Sequence, residues 1–224
     1  DNSTMHLHSP EPAYLVNPFR GGDPEDRRPE GREVGAAFDY IFNKIPDTTV
    51  TLEVLNQKGD VLRSFTSDSA KAKENKEPVL PVDTTHTRFH WNLQTERVDK
   101  VDDAFLFGFL AGVEALPGTY NVRLSVQGGP VQTRSLEVRK DPRIKEVIQQ
   151  DFQERYDLAM AIKDTLNSIY DAIRTIRSVR KQVDALASNA KEAGHDASEI
   201  QNLADTITSK LSTLESKLMQ VKIQ

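Results

Sequence analysis

The chain has no cysteine, and its candidate catalytic and metal-binding groups include histidines, carboxylates and basic residues. The lack of thiols removes disulfide scaffolds, thiolate metal sites and cysteine nucleophiles. His6 and His8 stand two residues apart, and His86 and His90 four apart. Four residues along a strand span roughly 13 Å, too far for two imidazoles to share one zinc. These histidines are read as structural or solvent-facing, with His6 and His8 able to take up a metal only adventitiously. Asp99, Asp102 and Asp103 form the densest carboxylate group. A glycosidase holds two carboxylates at a defined separation across a cleft, one of them with a raised pKa. A calcium loop alternates its acidic ligands around a glycine. The three aspartates match neither pattern. The sequence therefore assigns no catalytic residue, no cofactor and no metal site.

Arg174, Arg177, Arg180 and Lys181 make a basic stripe on a helical segment. It reads either as a solvated face balanced by Asp164, Asp171 and Asp184, or as a surface for acidic partners. The distribution of charge argues against nucleic acid. Residues 1–142 hold 17 Lys and Arg against 22 Asp and Glu, and residues 143–224 hold 12 of each. A nucleic-acid binder needs a net basic surface to neutralise phosphates. Trp91 could stack on a sugar, but it shares a strand face with Phe89 and Leu93, which favours the core. Tyr120, after Pro117-Gly118-Thr119, is placed to anchor a strand corner through its hydroxyl.

Two kinds of element must position these residues. All eleven prolines fall at or before Pro142, and ten of the eleven glycines at or before Gly129. Both residue types disfavour helix interiors. The reading is therefore an α+β multidomain chain: an antiparallel immunoglobulin-like β-sandwich followed by a long antiparallel α-helical hairpin. Residues 1–33 form a proline-rich extended arm in which Tyr14 and Phe19 could lie on a neighbouring surface. Residues 34–140 form the sandwich. Phe38, Tyr40 and Phe42 alternate, as do Val50, Leu52 and Val54, then Thr87, Phe89 and Trp91, then Tyr120, Val122, Leu124 and Val126. Period-two alternation marks strands with one buried face. Residues 71–76 read as a polar loop.

Residues 141–224 form the hairpin, with helices over about 144–192 and 198–224 and a loop at 193–197. The first helix would be on the order of 65 Å long. Phe152, Ala159, Leu166 and Ile173 recur every seven residues, and Ile162, Ile169, Ile176 and Val183 make the companion set. This heptad assigns Leu166, Ile169, Ile173 and Ile176 to helix packing. In the second helix Leu203, Ile207, Leu214 and Leu218 take the same role, and their stripe still runs at Gln224. That suggests either a longer native chain or a partner helix that completes the bundle. Asp1-Asn2-Ser3-Thr4 does not resemble a signal peptide, so the chain is expected to start after one or to be a fragment. No run approaches the length of a membrane span.

One segment escapes both periodicities. Phe105, Leu106, Phe107, Phe109 and Leu110 are clustered without alternation. They either cover the sandwich as a buried loop or form an apolar patch that docks another domain.

Several stretches resemble a known family. Val50 to Phe65 is similar to the strand–turn–strand of the FlgD-type immunoglobulin-like domain. Arg88-Phe89-His90-Trp91-Asn92-Leu93 resembles that domain's RF-WDL strand, with Asn92 where aspartate is usual. Leu116-Pro117-Gly118-Thr119-Tyr120-Asn121-Val122-Arg123-Leu124 resembles its PGTYTVRL strand. The stretch from Val138 to Arg143 and the helix with Phe152 and Leu158 resemble the C-terminal region of large secreted bacterial proteins. Those proteins carry a BNR-repeat, sortilin-like β-propeller and are often labelled glycosyl hydrolases. Pro10, Pro12, Ala13 and Tyr14 resemble the stretch that joins that propeller to the immunoglobulin-like domain. The chain has no blade repeat, so no catalytic residue carries over. The resemblance implies a secreted, periplasmic or cell-surface location and a protein partner, either a propeller domain or another subunit. The expected role is a non-catalytic structural and interaction module. The alternatives are a carbohydrate-binding module and an accessory subunit of a hydrolase.

Overall fold

The computed structural model describes residues 4–16, 34–104, 111–192 and 198–219. Its content is mixed α and β, in two compact units. The first comprises residues 1–97 and 112–158, the second residues 98–111 and 159–224.

The first unit holds the strands β1 (Met5–Leu7), β2 (Ala13–Leu15), β3 (Ala36–Phe42), β4 (Val50–Leu55), β5 (Val61–Thr66), β6 (Thr87–Trp91), β7 (Gly118–Val126) and β8 (Val131–Lys140). A three-stranded antiparallel sheet runs in the order β1-β3-β6, and a five-stranded sheet in the order β2-β8-β7-β4-β5. Alternation sets the register. Phe38 pairs with Phe89, Leu52 with Leu124 and Val54 with Val122, so large apolar residues meet on one face. Both sheets contribute to a single cluster that includes Phe38, Tyr40, Trp91, Leu52, Leu124 and Leu136. The β4–β5 turn is built locally: the Asn56 side-chain oxygen accepts from the Lys58 and Asp60 amides, both at 2.9 Å.

Residues 4–16, read from the sequence as part of an extended arm, contain two short strands. β1 pairs antiparallel with β3, and β2 pairs parallel with β8. Met5, Leu7, Ala13 and Leu15 are buried in the cluster. Three-residue strands between prolines are too short to show a period, so pairing with distant strands decides their structure. Gln132 fixes the first of them. Its amide donates to the Met5 carbonyl at 2.7 Å and accepts from the Leu7 amide at 2.8 Å, so it stands in for a missing strand neighbour. Tyr14 lies in β2, partly exposed, with its hydroxyl 3.3 Å from the Arg139 guanidinium. Phe19 lies outside the described residues.

The expected polar loop at 71–76 is also different. α1 (Ser69–Glu74) forms there because the Asp68 carboxylate accepts from the Ala70 and Lys71 amides, and Ala72 is buried beneath it.

α2 (Gln149–Glu192) begins later than 144. The Asp141 carboxylate is taken by the Arg143 amide and guanidinium, and the helix starts where Asp151 accepts from the Ile148 amide at 2.8 Å. Phe152, on its first turn, joins the cluster of the first unit. The second unit contains the remainder of α2, α3 (Ser198–Leu218) and the described part of 98–111.

Two glycines permit close backbone approach. A Cβ on Gly35, whose φ is +129°, would stand 2.2 Å from the Trp91 carbonyl oxygen. One on Gly112 would stand 1.8 Å from that of Thr95. Gly35→Ala and Gly112→Ala should each cost more than about 2 kcal/mol, since backbone rather than a flexible side chain must yield. Gly128→Ala, in an open turn with φ of +73°, should cost only about 1 kcal/mol. Urea unfolding followed by the fluorescence of Trp91 measures all three. Equal costs would contradict the close-packing account.

Candidate functional site

The imidazoles of His6, His8 and His86 lie together beside the three-stranded sheet. The His6 and His8 rings are 4.6 Å apart, and those of His8 and His86 6.0 Å apart. They surround Asp39 rather than a metal-binding point. Asp39 accepts two hydrogen bonds of 2.8 Å from the Arg88 guanidinium and lies 3.4 Å from the His86 Nε2. Among the described residues no three histidine or carboxylate groups are arranged to hold a metal ion. The Arg88 fork holds the Asp39 carboxyl below its usual range.

A carboxylate with a depressed native pKa adds stability above its unfolded value of about 3.9, and that stability is lost as the pH falls through the native value. Asp39→Asn should therefore lower stability at neutral pH and flatten the loss of stability below about pH 4. Urea midpoints across pH 2–7 check this, and an unchanged acid limb would contradict it.

The aromatic residues weighed as a sugar platform are internal. Trp91 is buried and donates to the Gln94 carbonyl at 2.7 Å. Tyr40 is buried and donates to the Pro81 carbonyl at 2.7 Å. Tyr120 donates to the Leu116 carbonyl at 2.8 Å, and burial pushes its phenol up to about 12. Phe107 lies outside the described residues, as do Phe105, Leu106, Phe109 and Leu110. A shallow, open cleft in the first unit is lined by Tyr14, Pro117, Glu137, Arg139, Lys140 and Gln149. Its charges are already engaged, with Arg139 on Glu137 and the Lys140 ammonium on the Val147 carbonyl.

Three arginines of the basic stripe are engaged within the second unit, while Lys181 is exposed. Arg174 pairs with Asp99 and Asp171, each at 2.7 Å, and donates to the Asp99 carbonyl. Arg177 donates to the Asp102 carbonyl at 2.9 Å and pairs with Glu215 at 2.7 Å. Arg180 reaches the other Glu215 oxygen at 3.2 Å and the Ser212 hydroxyl at 3.3 Å. Asp99 and Asp102 thus serve as partners for arginine. Glu215 is buried on α3 between two guanidinium groups, a role that its spacing in the sequence did not signal.

The apolar residues of the second unit divide sharply. Val98, Val101, Ala104, Tyr170, Ile173 and Met219 form a small core, with Leu166 and Ile169 packed on it. Ile176 is half-buried. On α3 the covered line is Ala204, Thr208, Leu211, Glu215 and Met219. The residues assigned to helix packing there lie beside that line. Leu203 is 64% exposed, Ile207 40%, Leu214 50% and Leu218 40%. The Arg177–Glu215 and Arg180–Glu215 contacts hold α3 with the Ala204–Met219 line covered and the Leu203, Ile207, Leu214 and Leu218 line exposed. On α2, Val179 and Leu186 are also exposed, Leu186 by 63%.

No family model matches the chain, and no curated protein is similar to it.

Among the described residues no helix is long and apolar enough to cross a membrane. The arrangement at hand is thus a pair of uncovered apolar helix faces beside a closed set of ion pairs.

Glu215→Ala leaves Arg177 and Arg180 facing a partly buried gap. The loss should be about 1–3 kcal/mol, less than for a fully buried pair because both arginines are partly exposed. Thermal melting followed by helical circular dichroism measures it. No change in the midpoint would show that the pair does not fix α3.

Proposed function

We propose that the chain is a non-catalytic protein-interaction module whose docking surface is the uncharged, exposed apolar face of α2 and α3. The two sheets are read as an immunoglobulin-like sandwich of the FlgD type, and the two helices as an antiparallel hairpin. Three α2–α3 contacts support the hairpin. Arg177 meets Glu215, Arg180 meets Ser212 and Asp184 meets Thr208, so one helix descends as the other climbs.

That register places both exposed stripes on one side. At about 100° per residue, Leu203, Ile207, Leu214 and Leu218 sit about 40–100° to one side of the Ala204–Glu215 line. Ile176, Val179, Val183 and Leu186 sit about 60–140° to the same rotational side of the Ile173–Arg177 line. In two right-handed helices of opposite sense, equal rotations from the facing line reach the same side of the pair. The result is one continuous apolar face, and this is the observation that carries the proposal.

The stripe on α2 bears no charge. Thr165, Ile169, Ala172, Ile176, Val179, Val183, Leu186 and Ala190 follow one another at alternating intervals of four and three. Such a seam is the kind that another helix fills. The arginines that could have recognised an acidic ligand are instead occupied by Asp99, Asp171 and Glu215. A carbohydrate-binding role is less well supported, because Tyr40 and Trp91 are buried. By the resemblance of the Phe89–Leu93 and Pro117–Tyr120 stretches, the module belongs with an exported β-propeller protein of the glycosyl-hydrolase-like type. It would then be secreted, periplasmic or on the cell surface, and its partner a propeller domain or a companion subunit.

A photo-crosslinking residue placed at Leu203 in the native host should give a protein adduct. The same residue at Ile45, exposed in the first unit, should give none. Absence of a Leu203 adduct, or equal adducts from both positions, would overturn the docking reading.

A further inference from the structure

We infer that the occupant of the α2–α3 face is a second copy of this chain, joined in a two-fold four-helix arrangement; the inference rests on the docking reading above. Two features of the face favour a copy of itself. The first is area. The exposed parts of Val179, Leu186, Ile200, Leu203, Ile207, Leu214 and Leu218, with the half-buried Ile176 and Val183, amount to about four whole side chains. At roughly 100 Å² for each fully buried aliphatic side chain, this is on the order of 400 Å². A stable interface takes about 800 Å² from each partner, of which somewhat over half is apolar. The face therefore meets the apolar share of one standard dimer.

The second feature is charge. Among the described residues of α3, the ionic groups bordering the stripe on its outer edge are Glu199 at one end and Lys210 and Lys217 toward the other. A closed two-fold contact uses the same patch twice, so each end of one α3 can oppose the other end of its mate. With the axis across the middle of α3, Glu199 of each copy approaches Lys217 of the other. Pairing the helices in the same direction would instead set lysine against lysine along a seam with no other counter-charge. The self-complementary polarity selects the antiparallel dimer. The uncharged α2 seam adds no conflict in that arrangement.

Sedimentation equilibrium of the full chain should give the mass of two copies, dissociating on dilution. Leu203→Glu combined with Val179→Glu should halve the mass while helical circular dichroism is kept, since both side chains already face solvent. Glu199→Lys should weaken association at least tenfold, and adding Lys217→Glu should restore it. As a check independent of stability, Ile207→Cys supplies the sole thiol, and a short bismaleimide should join two such chains. A wild-type chain that sediments as a single copy at every concentration would overturn the inference. So would a dimer that survives the double glutamate change, or a Glu199→Lys defect that Lys217→Glu does not rescue. A Leu203 adduct to a different protein in the host, with a monomeric purified chain, would reject the dimer and leave the docking reading standing.

Discussion

A carboxylate buried between two guanidinium groups sets the rotation of α3, and the character of the second unit follows from it. Glu215 could be expected on the wet side of an amphipathic helix. Instead it faces inward, held at 2.7 Å by Arg177 and 3.2 Å by Arg180. A buried charge of this kind persists only when paired, because its desolvation is large and its partners must be fixed. Once Glu215 is inside, helical geometry dictates the rest. Ala204, Thr208, Leu211 and Met219 share its side, and Leu203, Ile207, Leu214 and Leu218 lie beside it, Leu218 nearest and Leu203 farthest. The pair buries Tyr170, Ile173 and Met219 but leaves Leu203, Ile207, Leu214 and Leu218 largely uncovered. Hydrophobic burial alone would have rotated α3 the other way, since the leucines offer more apolar area than the alanine and threonine that displaced them.

How much of this was legible depends on the range over which each signal acts. β3, β4, β6 and β7 declare themselves, because their residues alternate over five or more positions and each alternation reports a buried face. α2 and α3 declare themselves through the absence of proline and glycine and through their heptads. β1 and β2 do not, since three residues cannot show a period and their structure depends on Gln132 and β8, more than a hundred residues away. α1 could have been found: Asp68 stands just before Ser69-Ala70-Lys71, a capping arrangement, but the lysines of that stretch read as loop. The exposed apolar face of α2 and α3 was legible only in part. A heptad states that a helix has an apolar stripe. It does not state whether the neighbouring helix covers that stripe, and on α3 an ion pair decides the question. The arginine stripe shows the same limit. Its partners Asp99 and Glu215 lie 75 and 38 residues away in the chain, beyond the reach of a reading that sought acids along the same helix.

The two units manage their apolar surface in different ways, and this bears on where function resides. In the first, two sheets bring Phe38, Tyr40, Phe42, Trp91, Leu52, Leu124 and Leu136 to nearly complete burial. The polar atoms of Tyr40, Trp91 and Tyr120 each end on a backbone carbonyl. The tight approaches at Gly35 and Gly112 suit a scaffold that is over-determined by its backbone. Its outer histidine cluster is organised by the Asp39–Arg88 pair. In the second unit the core is small, the ion pairs are satisfied, and the unsatisfied quantity is apolar area. Interfaces draw on that kind of surface, a dry stripe bordered by polar groups.

The same reasoning explains why the polar interior of the second unit and its greasy exterior belong together. Had the leucines of α3 faced α2, the pair would have closed on itself and Glu215 would have stood outside, an ordinary surface acid. The arrangement costs desolvation at Glu215, which the contacts with Arg177 and Arg180 offset. Under the docking proposal, a further helical surface would add burial of the outer leucines to that balance. Polar groups inside helical assemblies act in this way elsewhere, fixing register and partner number at some expense of stability. Under the docking proposal, the Glu215 contacts would fix the helix angle and the exposed leucines would supply the affinity.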